Sequence, residues 1–421
     1  MRYFEYRNGE YYCEDVALSE IAKKVGTPFY CYSAQTLIRH IKVFDNAFRN
    51  IEHLVCFAVK ANSNIAVLNL LANYNAGADI VSGGELFRAL KASVPANKIV
   101  FAGVGKSADE IREALLAKIL LFNVESSQEL LLLDSVAGSL GLKAPSAIRV
   151  NPNVDAKTHP KISTGLKHNK FGISYERVIE EYKRAKNLKN IEVIGIHEHI
   201  GSQVTQIGPF ADALEKTMEL VVKLKAIDID IKYINLGGGL GITYKDETPP
   251  HPDELASVIE PIIKDSGVTV IFEPGRVIAG NAGVLVTKTL FTKTSSTKEF
   301  IIVDAAMNDL ARPSLYGSYH SILPIDEKVI DRKKINSDVV GPICESGDFL
   351  AQDRMLPHFK QDECMAIMSV GAYGFTMSSN YNSRRKIAEV LVNKDRFEVI
   401  RERETYSDLI RGESIPKWRY E

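Results

Sequence analysis

Between residues 54 and 276, short apolar runs alternate with longer stretches in which apolar positions recur every three or four residues. The runs cover residues 54–59, 78–81, 99–102, 120–124, 147–150, 193–200, 233–236 and 268–272. They are rich in β-branched and aromatic residues, the pattern of strands buried on both faces. Helix-like segments separate several of them, at 84–91, 108–116, 127–137 and 175–185. Strands alternating with helices pair in parallel through crossover connections, and eight such units close into a (β/α)8 TIM barrel. An open doubly wound sheet is the competing arrangement.

After about residue 280 the texture changes. Strand-like runs at 284–290, 300–304, 339–343, 364–370 and 397–401 follow one another without long helices between them. This predicts a mostly antiparallel β-domain. The first thirty residues have the same character: β-like runs at 2–6 and 10–13 flank an Asn8-Gly9 turn, and a short helix is expected at 17–25. The expected division is a barrel over 31–280, with 1–30 and 281–421 forming the β-domain as a sandwich or barrel-like unit.

Composition narrows the function classes. With 421 residues, two domains are the natural expectation. Basic and acidic residues number 52 and 53, so bulk charge gives no reason to expect nucleic acid or a membrane surface as partner. Neither a bilayer-length apolar run nor a signal-peptide core is apparent. Five scattered cysteines, at 13, 31, 56, 344 and 364, form no CxxC pair and suggest neither a zinc site nor a disulfide framework. A reducing cytoplasm is the simplest expectation.

Candidate chemistry clusters at the ends of the apolar runs. Lys60 closes the first. If apolar neighbours crowd it, its amine has a lowered pKa and can attack a carbonyl carbon to form a Schiff base; otherwise it snorkels to water. His197 and His199 follow the sixth run and, by period-2 alternation, face one way while Glu198 faces the other. They could contribute to a metal site, though no third ligand suggests itself, stack on a ring, or be core histidines. Gly237, Gly238 and Gly239 follow the seventh run, where backbone N–H groups can converge on a phosphate or simply make a turn. Glu273-Pro274-Gly275-Arg276 follows the eighth: the acid could serve as base, ligand or partner of a protonated heterocycle, or pair with Arg276, whose guanidinium suits a carboxylate or phosphate. In the β-domain, Cys344-Glu345-Ser346 lies in a glycine-rich turn, Tyr373 in another, and Arg312 and Tyr316 in a stretch that reads as loop.

Taken in order, these segments resemble the fold type III, alanine-racemase-like pyridoxal-phosphate decarboxylases. The matching pieces are Phe57-Ala58-Val59-Lys60-Ala61-Asn62, Gly77-Ala78-Asp79 with Ser82-Gly83-Gly84-Glu85, Lys170-Phe171-Gly172-Ile173, His199-Ile200-Gly201-Ser202-Gln203, Gly237-Gly238-Gly239, Glu273-Pro274-Gly275-Arg276, Cys344-Glu345-Ser346 and Gly371-Ala372-Tyr373. The resemblance implies that Lys60 carries pyridoxal 5'-phosphate and that His199 stacks on its ring. Asp79 joins the cofactor site, and Glu273 keeps the ring nitrogen protonated. Racemases of this fold use an arginine there, so a carboxylate favours decarboxylation. The resemblance also implies phosphate contacts from Ser202, Gly237, Gly238, Gly239, Gly275, Arg276 and Tyr373. Arg276, Arg312, Tyr316 and Tyr373 would bind substrate. Cys344 would return a proton and Glu345 read an ammonium group, both from a second subunit of a homodimer. The Cys-Glu-Ser turn resembles the members that convert meso-2,6-diaminopimelate to L-lysine and CO2, whereas relatives acting on ornithine, arginine or carboxynorspermidine are the alternative; the ornithine-type members usually carry Cys-Asp-Gly. Two departures stand out: Glu198 sits where the family often has an apolar or aromatic residue, and Arg385 replaces a usual proline.

Overall fold

The computed structural model describes residues 3–154, 170–294 and 298–418. The chain divides into two compact units, Thr36–Asn281 and the combination of Met1–Gln35 with Ala282–Glu421.

In the first unit eight strands stand in sequence order: His53–Ala58, Gly77–Ile80, Ile99–Phe101, Leu121–Val124, Ala144–Asn151, Ile191–His197, Tyr233–Asn235 and Thr269–Phe272. Each runs parallel to the next, and the eighth pairs with the first, so the sheet closes. This is the (β/α)8 barrel, and the open-sheet alternative is excluded. The strands are largely apolar, with polar residues gathered towards their C-terminal ends, because the crossover helices cover them outside and a side-chain plug fills them inside. Cys56, Val100, Leu121, Ala147, Ile194 and Ile271 make that plug, all buried. Helix starts follow local capping chemistry: Ser82, Ser107 and Ser126 each accept from a backbone N–H three residues on, at the helices Gly83–Lys91, Ala108–Ala117 and Ser127–Ser139.

In the second unit a long strand, Gly283–Thr294, pairs antiparallel with Phe29–Ser33, Glu299–Val303 and Cys364–Ile367. Most other pairs are antiparallel too, but Glu299–Val303 runs parallel to Lys334–Val340, and Phe29–Ser33 parallel to Ala388–Asn393. The N-terminal hairpin, Phe4–Arg7 with Glu10–Cys13, turns at Asn8 and Gly9, both at positive φ (50° and 84°). Arg2, expected within its first strand, lies outside the described residues. With Val16–Ala17 the hairpin forms a small sheet of its own. Phe4, Tyr11 and Cys13 pack in one core with Val284, Ile325 and Ala366, and Tyr11 N–H donates to the Ile325 carbonyl at 2.8 Å. Phe29–Ser33 is buried at all five positions and lies in the larger sheet, between Gly283–Thr294 and Ala388–Asn393.

Candidate active site

Polar residues at the C-terminal ends of the barrel strands continue the inward face of the plug. Alternation carries the face of Cys56 to Lys60, that of Leu121 to Asn123, that of Ala147 to Arg149 and that of Ile271 to Glu273. The sixth strand is an exception. Its register shifts between Val193 and Gly195, so the face of Ile194 passes to His197 across an odd interval.

Lys60 Nζ donates to Asp79 Oδ2 at 3.2 Å, and its side chain is 41% exposed while that of Asp79 is fully buried. The apolar crowding considered for this amine is therefore absent; its partner is a carboxyl group. Burial raises the Asp79 pKa, the charge of Glu273 raises it further, and Lys60 works the other way.

Glu273 is held from several directions. Its Oε1 accepts from Asn235 Nδ2 at 2.6 Å and from Asn123 Nδ2 at 3.2 Å. Its Oε2 lies 3.6 Å from His197 Nε2. Asn123 sits on the fourth strand and Glu273 just past the eighth, four neighbours away around the barrel, so this amide reaches across the lumen. Burial disfavours the Glu273 charge, but His197, Lys60 and Asn235 outweigh it and hold the carboxyl below the usual carboxylate range. Burial keeps His197 itself uncharged near neutral pH. At that pH the imidazole acts on Glu273 as a dipole, and the Lys60 charge and the two amides do most to keep Glu273 ionised.

The triple-glycine turn is fixed by close approach. A Cβ on Gly238 would stand 2.3 Å from the Glu273 carbonyl oxygen, one on Gly237 2.6 Å from His199 Nδ1, and one on Gly239 2.6 Å from the Gly201 carbonyl. Gly237 and Gly239 also have φ of +66° and +122°, which L side chains rarely adopt. Gly238 N–H donates to His199 Nδ1 at 3.2 Å, which makes that nitrogen an acceptor; burial, with Arg149 and Lys60 nearby, holds the ring well below its ordinary pKa and so neutral. Arg276 begins the short helix Arg276–Ala279; its Nη1 donates to Tyr244 Oη at 2.6 Å and its Nη2 to Ser202 Oγ at 3.0 Å. Ala58 N–H donates to the Pro274 carbonyl at 3.1 Å, which sets the Glu273–Arg276 turn beside the strand leading to Lys60. Lys60, Asp79, His199, Ser202, the three glycines, Glu273, Gly275 and Arg276 thus meet at one end of the barrel. Glu198 points the other way: its Oε2 accepts from Thr217 Oγ1 at 2.6 Å, on the helix Gly208–Lys225.

Arg312, Tyr316, Cys344, Glu345 and Tyr373 belong to the other unit. The loop expected around Arg312 is instead a five-residue helix, Arg312–Tyr316, with proline in its first turn and Gly317 left-handed at its end. It is too short for an apolar period to show in the sequence. Arg312 is buried, Tyr316 half-buried, and Cys344 and Glu345 are exposed. Cys344 N–H donates to Asn382 Oδ1 at 2.8 Å, and Glu345 is hydrogen-bonded to the Tyr381 hydroxyl. Tyr373 has a φ of +58°.

Asn123, Asn235 and Tyr244 were not singled out from the sequence. The two asparagines did carry a signal, since each is an amide set in an otherwise apolar strand. Tyr244 carried none.

These residues fit pyridoxal phosphate. An amine and an anionic carboxyl group share the barrel end, the glycine turn is a cradle that any Cβ would fill, and several buried polar atoms point inward without a hydrogen-bond partner: Asp79 Oδ1, Asn123 Oδ1 and both His197 ring nitrogens. Comparison with known proteins agrees. Residues 34–280 match the model of the pyridoxal-dependent decarboxylase family, pyridoxal binding domain. A diaminopimelate decarboxylase of Aquifex aeolicus is 49% identical over 97% of this chain and 96% of its own length. One from Pseudomonas aeruginosa is 50% identical over 98% and 99%. Among solved structures, a diaminopimelate decarboxylase from Helicobacter pylori complexed with L-lysine has a TM-score of 0.90 at 43% identity, covering 94% of this chain and 98% of that one. One from M. jannaschii in complex with L-lysine has 0.93 at 40%, covering 98% of each. The chain belongs to the diaminopimelate decarboxylase family of pyridoxal-dependent decarboxylases.

Proposed function

We propose that this chain is a pyridoxal-phosphate-dependent carboxy-lyase that removes CO2 from meso-2,6-diaminopimelate and leaves L-lysine. The observation that carries the reading is Glu273: a carboxylate held ionised inside the barrel by two amides, at the same strand ends as the Lys60 amine. The names of its relatives and the L-lysine held by two of the solved structures support the substrate.

When bound, pyridoxal phosphate supplies an aldehyde for amines to link to and a ring that accepts the electron pair left by departing CO2. The chain does the rest. Lys60 provides the amine that holds the cofactor, beside Asp79. Glu273, ionised, would pair with the ring nitrogen and favour its protonated form. His199, neutral and anchored by Gly238 N–H, gives the ring a flat face to rest on. The glycine turn, Ser202, Gly275, Arg276 and Tyr373 hold the phosphate. Arg276, Arg312, Tyr316 and Tyr373 bind the substrate, the two guanidiniums taking its distal carboxylate, and Glu345 takes the distal ammonium group. The binding residues would contribute through orientation, by fixing which bond of the substrate is aligned for cleavage. The Cys344 thiol would donate its proton to the carbon that has lost CO2, and the thiolate would take up a proton from solvent, so that one proton is consumed for each CO2 released. Cys344 and Glu345, both exposed, serve the site of a partner subunit in a homodimer. All five cysteines are free and no described helix is long and apolar enough to cross a membrane; we place the enzyme in the cytoplasm.

The test is CO2 release by purified protein with added cofactor, using meso-diaminopimelate, ornithine, arginine and carboxynorspermidine. Lysine equal to the CO2 released from meso-diaminopimelate is expected. Faster turnover of ornithine or arginine would overturn the substrate. Lys60→Ala should abolish turnover and the visible absorbance of the bound cofactor, and full activity in that variant would overturn the site.

A further inference from the structure

We infer that His320 is a positioning residue that aims the Arg312 guanidinium and thereby sets affinity for the distal carboxylate of the substrate. This rests on the reading of Arg312 given above.

Chain geometry brings the two together. Gly317, left-handed at φ +60°, ends the helix that Arg312 begins, and Gly317 N–H donates to the Pro313 carbonyl at 2.9 Å. The chain turns back, and Ser318 and His320 fall onto Arg312. Arg312 Nη2 donates to Ser318 Oγ at 3.2 Å, and Arg312 Nε donates to His320 Nε2 at 3.4 Å. His320 has no exposed surface. Its Nδ1 lies 2.8 Å from the Met368 carbonyl oxygen, which can only accept. Nδ1 therefore carries the proton, and Nε2 is left as the acceptor that Arg312 requires. A second proton would set two N–H groups head to head, so the ring serves Arg312 in its neutral form.

The imidazole is itself held. Arg354 Nη1 donates to the His320 carbonyl at 3.2 Å, with its guanidinium 3.7 Å above the Tyr319 ring. Met368 N–H donates to the Ser321 carbonyl at 2.8 Å. Ser318 and His320 are neutral acceptors, so these two contacts orient the guanidinium without cancelling its charge. With Nε turned to His320, a carboxylate is met by the terminal nitrogens of the fork, an end-on bidentate geometry. His320 is too deeply buried to touch substrate and acts through Arg312.

The product gives a readout separate from catalysis. Loss of CO2 at one end of meso-diaminopimelate leaves the other carboxylate in L-lysine, whereas 1,5-diaminopentane lacks both. In the holoenzyme, His320→Leu should raise KM for meso-diaminopimelate and the inhibition constant of L-lysine about tenfold each, the size expected for one lost hydrogen bond to a charged group. The inhibition constant of 1,5-diaminopentane and the affinity for cofactor should stay put, with kcat changing much less than KM. His320→Gln, which restores an acceptor near the Nε2 position, should recover most of the loss. Ser318→Ala should raise the same two constants severalfold, and it keeps the test alive if the leucine variant does not fold. The inference fails if KM and the L-lysine constant stay at wild-type values in these variants, or if all the constants rise together. Arg312→Lys separates the two ideas: a raised KM there with silent His320 and Ser318 variants sinks only the inference, and an unchanged KM sinks the reading of Arg312 as well.

Discussion

Asp79, Glu198 and Glu273 are buried carboxyl groups that differ in how they titrate because their neighbours differ. Glu273 has two amides and a nearby ammonium group and stays ionised. Asp79 faces Lys60 but also feels Glu273, and is raised. For Glu198 the Thr217 hydroxyl and the charge of Lys216 oppose burial without overcoming it, and burial pushes it up to about 7 from an ordinary 4.5. The sign for stability follows. Below pH 4.5 the group is neutral folded or unfolded and costs nothing. As pH rises towards 7 the unfolded chain releases a proton that the folded chain retains, so stability falls, and the penalty persists above that pH. Glu198→Gln keeps an acceptor for Thr217 and removes the penalty. It should stabilise the protein by about 1–3 kcal/mol at pH 8 and by clearly less at pH 5.5, read from urea midpoints. Equal effects at the two pH values would show that Glu198 does not titrate this way. Lys60 and Glu273 were visible as charges closing apolar runs. How each titrates was not, because that depends on groups 19 to 150 residues away in the chain.

At the scale of elements, the turns after the sixth, seventh and eighth strands form one packed unit. Glu273 N–H donates to the Gly237 carbonyl at 2.7 Å, Gly237 N–H to Asn235 Oδ1 at 2.9 Å, and Gly238 N–H to His199. The glycine turn thus orders His199 and Glu273 as well as any anion it binds. Gly238→Ala forces a Cβ against the Glu273 backbone, which cannot yield like a flexible side chain. An overpacking cost of about 1–3 kcal/mol is expected, with weakened cofactor affinity measured by titrating the apoprotein. Unchanged affinity would mean the three turns move independently. The eight strands and their order were legible because apolar runs and amphipathic segments alternate so regularly. The register shift in the sixth strand was not, since a bulge leaves no mark in the hydrophobic pattern. Nor was the Arg312–Tyr316 helix, whose five residues are too few for a period. Ala388–Asn393 shows no period-2 alternation, although four of its six residues are apolar; its pairing with Phe29–Ser33 on one side and Arg396–Arg401 on the other identifies it as a strand within the sheet.

At the scale of the whole molecule, the barrel is an insertion between two parts of the β-unit, and Met1–Gln35 shares a unit with Ala282–Glu421. Strand pairing between Phe29–Ser33 and both Gly283–Thr294 and Ala388–Asn393 ties the chain's two ends into one sheet. The proposed sharing of sites between subunits makes a direct prediction. Lys60→Ala and Cys344→Ala proteins, each nearly inactive alone, should regain activity when co-expressed. In mixed dimers one of the two sites has both residues intact, so random pairing restores about a quarter of the wild-type sites. No recovery, with mixed dimers demonstrated by two different affinity tags, would show that Lys60 and Cys344 act within one chain.

The sequence by itself determined the barrel, its strand order, the family and the residues that bear charge at the strand ends, because alternation and apolar burial are local properties written in consecutive positions. Only the tertiary structure decided what those residues do to one another. Asn123 reaches Glu273 across the lumen, Gly238 anchors His199, and His320 faces Arg312 because barrel closure and a left-handed turn bring them within hydrogen-bond distance. The protonation of a buried group depends on distance in space and on the loss of water around it, and neither quantity can be read along a line of residues.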